Sequence, residues 1–320
     1  MRIAHLKQQA AGYLKNDSSF RRLVLIHSAI SAGVSLLLMA VGWIASRLAP
    51  DGSLSHMDTL VLMDTVQATL RILCIAAVPL WDAGLIFCAL RLIRGRSNSV
   101  VSLTEGFFRW LPFLISGLVM MFIYFLATMA CSTVTGILLS FLPMPASVYQ
   151  EALAFMENPT FPLEGGMLVF TVAYCIVYLV TLSALLIPML YLHRLVSYRI
   201  MDDEPCGGLQ AVLESRMTMR GHRRKLFGLD MSFWWFYFLE LLTVGLSMGD
   251  LLLAELGIAI PYLSAEAAGW VLPLLSLVAQ LLLYWLAKPR ISVSYALFYQ
   301  SINATAEAPE PKPRRMPWKY

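Results

Sequence analysis

The feature that most constrains this chain is a block of about twenty or more apolar residues, repeated six times and usually closed by arginine or lysine. The blocks span about 23–47, 72–90, 111–139, 167–192, 226–253 and 268–287. A bilayer core roughly 30 Å thick takes about 20 apolar residues per spanning helix. Lipid offers no partner to a backbone N–H or C=O, so only helices and closed barrels cross it. The blocks are too long for barrel strands and lack their short alternation. The expected fold is therefore all-α, a polytopic membrane protein with six transmembrane helices and interfacial amphipathic helices.

Composition agrees, with 58% hydrophobic and 14% charged residues and a mean hydropathy of +0.68, where soluble domains carry about a quarter charged residues. The net charge of +4 does not point to nucleic acid, because the basic residues sit beside the apolar blocks and read as topology signals. With both termini cytoplasmic, all but two of the 24 basic residues fall inside, Arg47 and Arg71 being the exceptions. The outer loops carry Asp51, Asp58, Asp64, Glu151, Glu157, Glu164, Glu255 and Glu266 instead. A multi-pass cell (inner or plasma) membrane protein is expected. Its partners are the bilayer, anionic lipid headgroups and a possible membrane protein, and no nucleic acid.

Residues 1–22 read as a cytoplasmic amphipathic helix. Ile3, Leu6, Ala10, Tyr13 and Leu14 share a face, and Lys7 and Lys15 are available to headgroups, which suits a helix lying on the membrane. The following apolar run is too long for a signal-peptide core. Residues 23–303 form the six-helix membrane domain, and the charged, Pro-rich residues 304–320 read as a disordered cytoplasmic tail. Residues 146–157 fit a small amphipathic helix. Asp202-Asp203-Glu204 before Pro205 reads as an acidic helix start, followed by an apolar face of Leu209, Val212, Leu213 and Met217. The cysteines, Cys74, Cys88, Cys131, Cys175 and Cys206, show no metal-ligand spacing and no disulfide framework.

Three residues are candidates for an intramembrane polar site: His27, Asp82 and Glu240. Asp82 follows Pro79 by three residues and lies about 14 Å along the helix from Arg91, near the bilayer midplane. A charge there costs roughly 2.5–3.5 kcal/mol or more. It must be paired, protonated or facing water, either as a proton or cation site at a kinked helix or as a neutral Asp bonded within the bundle. Glu240 lies about 22 Å along its helix from Lys225, where a protonated Glu bonded to a hydroxyl is the structural alternative. His27 falls one turn into the first block, so the three stand at three depths. His222, Arg223, Arg224 and Lys225 form a basic cluster able to hold anionic lipid or a partner, at about 1 kcal/mol per residue. No Gly-rich phosphate loop, HExxH, GxSxG or Walker sequence occurs, and no catalytic residue, metal or cofactor is expected.

The order of features around residues 214–245 resembles the uncharacterised bacterial membrane proteins grouped as domain of unknown function 975. The residues that carry this are Ser215, Met219-Arg220-Gly221-His222-Arg223, Leu226-Phe227, Ser232-Phe233 with Trp234-Trp235, and Leu242-Thr243-Val244-Gly245. Leu6-Lys7, Ala10, Leu14-Lys15-Asn16, Ile187-Pro188 and residues 295–299 are also similar. The chain departs from that pattern at Lys288-Pro289-Arg290, where the family has Pro-Tyr, and at Glu240, where a small or neutral residue is expected. The resemblance implies a multi-pass bundle without an assigned activity. The expectation is a non-enzymatic accessory or organising membrane component. The alternative is a small proton-coupled transporter or exporter of a lipid or small molecule that uses Asp82.

Overall fold

The computed structural model describes residues 3–48, 54–141, 165–204, 206–247, 249 and 265–306. The stretch expected as a helix at 146–157 and most of the expected tail lie outside these residues. The described chain is helical, with no strand among the described residues. Its helices are α1 (Ile3–Asn16), α2 (Ser19–Leu48), α3 (Leu54–Ile93), a 3₁₀ turn (Val100–Thr104), α4 (Glu105–Phe108), α5 (Trp110–Ser140) and α6 (Gly165–His193). They continue with α7 (Val196–Ile200), α8 (Gly208–Thr218), α9 (Arg223–Met231), α10 (Trp234–Ser247) and α11 (Ala265–Ala306).

Five stretches, Ser19–Val41, Ala68–Ile93, Trp110–Leu138, Val172–Ile200 and Trp270–Ala304, are long and apolar enough to cross a membrane. Their large apolar side chains stay exposed: Leu37, Ile72, Phe122, Val180 and Leu286 stand on the outside. In water these would form apolar patches far larger than a soluble monomer tolerates; in a bilayer they meet lipid. The chain is a membrane protein.

The fifth span, expected at 226–253, is not one continuous helix. The backbone breaks at Ser232-Phe233, between α9 and α10. Ser232 Oγ donates to Leu229 O, and the Phe233 N–H donates to Asp230 O at 2.9 Å. Lys7 Nζ reaches from α1 to take the Ser232 carbonyl at 2.7 Å and lies 4.2 Å from the centre of the Phe233 ring. Capping the end of α9 with a lysine satisfies a carbonyl that the helix leaves unpaired. Burial lowers the Lys7 ammonium below the usual lysine range. Residues 248 and 250–264 fall outside the described ones, so a count of six spans does not follow.

The chain divides into two compact units. One comprises Met1–Phe113, Ser197–Gly207 and Arg224–Tyr320; the other comprises Leu114–Val196 and Gly208–Arg223. The first is built on the carboxyl half of α11. Pro289 does not end that helix, and almost every side chain from 291 to 299 is buried. A helix apolar on all faces needs neighbours on all faces, and α1, α2 and α3 all pack on α11. The α1 stripe Leu6, Ala10 and Leu14 is buried against protein rather than left for lipid. Each buried leucine is worth about 2 kcal/mol.

Two glycines set how closely α3 meets the 3₁₀ turn and α4. A Cβ on Gly84 would stand 1.8 Å from Leu103 O, and one on Gly106 would stand 1.9 Å from Leu80 O.

Residues 202–204 do not start a helix; the next one begins at Gly208. Asp202 is instead the hub of a polar clamp. It pairs with Arg94, accepts from Tyr299 Oη at 2.6 Å and lies 3.7 Å from Arg199. Arg109 donates to the Ile200 and Asp202 carbonyls at 2.6 and 2.7 Å. Burial alone would raise the Asp202 carboxyl, but the Tyr299 hydroxyl, Arg94 and the Asp203 N–H outweigh it and hold it below the usual range.

In the second unit α8 packs on α6. It turns Ala211, Val212 and Ser215 inward, so of the expected apolar face only Val212 is buried, and Leu209, Leu213 and Met217 are exposed. Ser215 Oγ donates to Leu192 O at 2.9 Å, which pairs a carbonyl in the last turn of α6. Gly221 follows α8 with φ +84, a left-handed turn that glycine adopts without strain.

Candidate functional site

The first unit holds a cavity of about 940 Å³ between α2, α3 and α11, lined also by Phe107 of α4. Helices α2 and α3 run antiparallel, and that direction decides the chemistry. On α2 the lining runs from His27 through Ser31 to Val34 and Leu38. On α3 it runs from Asp82 back through Val78 and Cys74 to Leu70. On α11 it runs from Lys288 back through Tyr284 to Leu281 and Gln280. The charged groups of all three helices therefore gather at one end, and away from it aliphatic side chains of α2 and α3 are interspersed with the neutral polar Ser31, Ser35 and Gln280.

At the charged end His27 Nε2 lies 3.3 Å from Asp82 Oδ1. The imidazole is buried, whereas the Asp82 side chain is 50% exposed and lines the cavity. The His27 ring stacks on Trp81, with centroids 5.3 Å apart and planes 10° apart. Trp81 Nε1 donates to His27 O at 3.2 Å, and Ser31 Oγ donates to the same carbonyl at 3.0 Å. The His27 ring is thus clamped, and neither of its ring nitrogens, both buried, has a hydrogen-bond partner among the described residues. Ser28 and Ser35 donate back to Val24 O and Ser31 O, so their protons are spent within α2 and their lone pairs are what they can offer.

Across from this pair, Lys288 Nζ lies 4.8 Å from the centre of the Tyr284 ring. Tyr284 Oη donates to Glu240 Oε1 at 2.5 Å and receives Gln280 Nε2 at 3.4 Å. Glu240 is thereby joined to the wall of the cavity through Tyr284. Lys288 has no carboxylate within ion-pair distance among the described residues.

The three expected intramembrane residues thus behave differently from three isolated depths. His27 and Asp82 meet directly, and Glu240 joins them at one remove. Helix α2 starts at Ser19, four residues before the expected block, so His27 lies two turns into the helix rather than one. The sequence reading missed Lys288, Tyr284 and Gln280. Their spacing at 280, 284 and 288 is a polar stripe on one face of an apolar helix, as are His27, Ser31 and Ser35 on α2.

In the basic cluster, His222 and Arg223 are half-buried, and Arg224 and Lys225 are exposed in the first turn of α9. Among the described residues no group of three His, Cys, Asp or Glu is placed to hold a metal ion, and no two of the five cysteines form a disulfide.

One family model, described as Protein of unknown function (DUF975), matches residues 1–306. No curated protein matches the chain, and no solved structure does.

Proposed function

The chain belongs to the family of proteins of unknown function DUF975, and from that premise and the cavity on α2, α3 and α11 we propose that it is a non-enzymatic membrane component that holds an amphiphile taken from the bilayer. The observation that carries this is the gradient of the cavity wall: His27, Asp82 and Lys288 at one end, Val34, Leu38, Leu70 and Leu73 toward the other. A cavity of this size with an aliphatic wall and a few convergent polar groups suits a small molecule. A molecule with a polar head and an apolar tail matches both ends at once. With its basic residues on the cytoplasmic side, both termini face the cytoplasm of a cell membrane, and Arg224 and Lys225 anchor the chain to anionic headgroups or a partner there.

Native mass spectrometry of the protein extracted gently from its own membrane tests the reading. The wild type should retain one amphiphile, and Ala77→Trp, which fills the cavity, should lose it. Identical retained molecules in both proteins would sink the proposal.

The His27–Asp82 pair, with its carboxylate open to the cavity, favours a second reading: proton-coupled export of the same molecule. Asp82→Asn should then abolish a proton-driven flux from vesicles, and a flux that survives intact removes Asp82 as the carrier.

A further inference from the structure

We infer that the occupant of this cavity is a zwitterionic phospholipid, its phosphate on Lys288 and its ammonium on Asp82. The inference rests on the amphiphile reading above and adds the chemistry of the head. Two opposite charges stand at the same end of the cavity without pairing with each other. One Asp82 carboxylate oxygen lies 3.3 Å from His27 Nε2, and the side chain remains half exposed. Lys288 touches an aromatic face rather than an acid. Glu240, the other carboxylate near Lys288, is engaged by Tyr284.

Each class of head leaves a different residue. An anionic lipid would neutralise Lys288 and leave Asp82 charged among apolar walls. A cationic amphiphile would satisfy Asp82 and leave Lys288. An unpaired charge at this depth costs several kcal/mol. A zwitterion meets both, and Trp81 and Phe107 beside Asp82 offer ring faces that attract an ammonium group. The lipid source is favoured over a free zwitterion because Val34, Leu38, Leu70 and Leu73 line the cavity away from the charges, and only an acyl chain gains by covering them.

The test uses the full chain in nanodiscs of phosphatidylethanolamine and phosphatidylglycerol in equal amounts with matched chains. The lipid retained after gentle ejection is read by native mass spectrometry. Phosphatidylethanolamine should be retained about tenfold over phosphatidylglycerol. Asp82→Asn should bring the ratio toward parity, and Lys288→Met should lose both lipids. Soluble phosphoethanolamine should not compete. A second readout needs no cavity-charge variant: brominated phosphatidylethanolamine should quench wild-type fluorescence more than that of Trp81→Phe, and brominated phosphatidylglycerol should not. Equal retention of the two lipids, or competition by phosphoethanolamine, overturns the headgroup inference and leaves the amphiphile reading standing. Retention no greater than in Ala77→Trp overturns both.

Discussion

Adding one methyl group at Gly84 should do more damage than most charge changes in this protein. The Cβ of Gly84→Ala would lie 1.8 Å from the Leu103 carbonyl oxygen, 2.6 Å from its carbon and 2.9 Å from its Cα. An ordinary contact of this kind needs about 3.5 Å, so α3 and the 3₁₀ turn must part by more than 1 Å. The obstacle is backbone, and no rotamer relieves it. Overpacking a well-packed site costs about 1–3 kcal/mol, occasionally more, and a main-chain clash belongs at the upper end, at about 3 kcal/mol. Gly106→Ala meets Leu80 O at 1.9 Å in the same crossing and should cost as much. Because both substitutions force the same separation, the double variant should lose less than the sum by at least about 1 kcal/mol. Gly33→Ala is the control: it lies in α2 with nothing within 4 Å of the added carbon, and alanine in place of a helical glycine gains up to about 1 kcal/mol. Thermal unfolding in mild detergent, followed by the aggregation point and by near-UV circular dichroism, measures all four. A Gly84→Ala protein as stable as Gly33→Ala would refute the close crossing.

Other expectations follow from the polar contacts. Asp202→Asn should cost roughly 2 kcal/mol near neutral pH, since the half-buried guanidinium groups of Arg94 and Arg199 lose their carboxylate. The Asp202 carboxyl is held below its unfolded value of about 3.9, so its contribution is present above that pH and is lost as pH falls through the lower folded value. The gap between wild type and variant in a pH series of unfolding should therefore close in acid; a gap that persists there contradicts the clamp. Lys7→Met removes a charge-assisted bond to Ser232 O and should lower stability by about 2 kcal/mol, with Lys7→Arg closer to wild type in the same unfolding assay. Replacing both Arg224 and Lys225 with Gln should cut the enrichment of anionic lipid around the protein about tenfold or more, read by lipid analysis of nanodiscs; unchanged enrichment removes the anchoring role.

Sequence alone revealed the class of fold, because twenty-residue apolar blocks leave few alternatives in lipid. It also marked His27, Asp82 and Glu240, because charge and imidazole are conspicuous in such blocks. It allowed helix to resume after Pro289 through Tyr299, but did not reveal that α11 runs through Pro289 without a break. A proline costs a helix one hydrogen bond and a clash, and whether neighbours repay it depends on packing around residues 291–299 that no local pattern encodes. Nor could it place the break at Ser232-Phe233, since the residue that caps it, Lys7, is 225 positions away. The α8 face was misjudged for a related reason. Hydrophobicity chose Leu209, Val212, Leu213 and Met217, but only Val212 turns inward, beside the small residues Ala211 and Ser215.

The residues that carry the family resemblance and the residues that line the cavity serve separate ends. Ser215 pairs a carbonyl in the last turn of α6, Gly221 supplies a left-handed turn, Ser232-Phe233 forms a helix break, Lys7 caps it, and residues 295–299 fill the core. All of these act on backbone geometry or on packing, and none lines the cavity. His27, Asp82, Tyr284 and Lys288 contribute little that a scaffold needs: an orphaned imidazole nitrogen, a half-exposed carboxylate and an ammonium without an acid are costs in an apolar surrounding. A chain keeps such groups in place only when the rest of the fold over-determines them, and a bound zwitterion is what would turn those costs into binding energy.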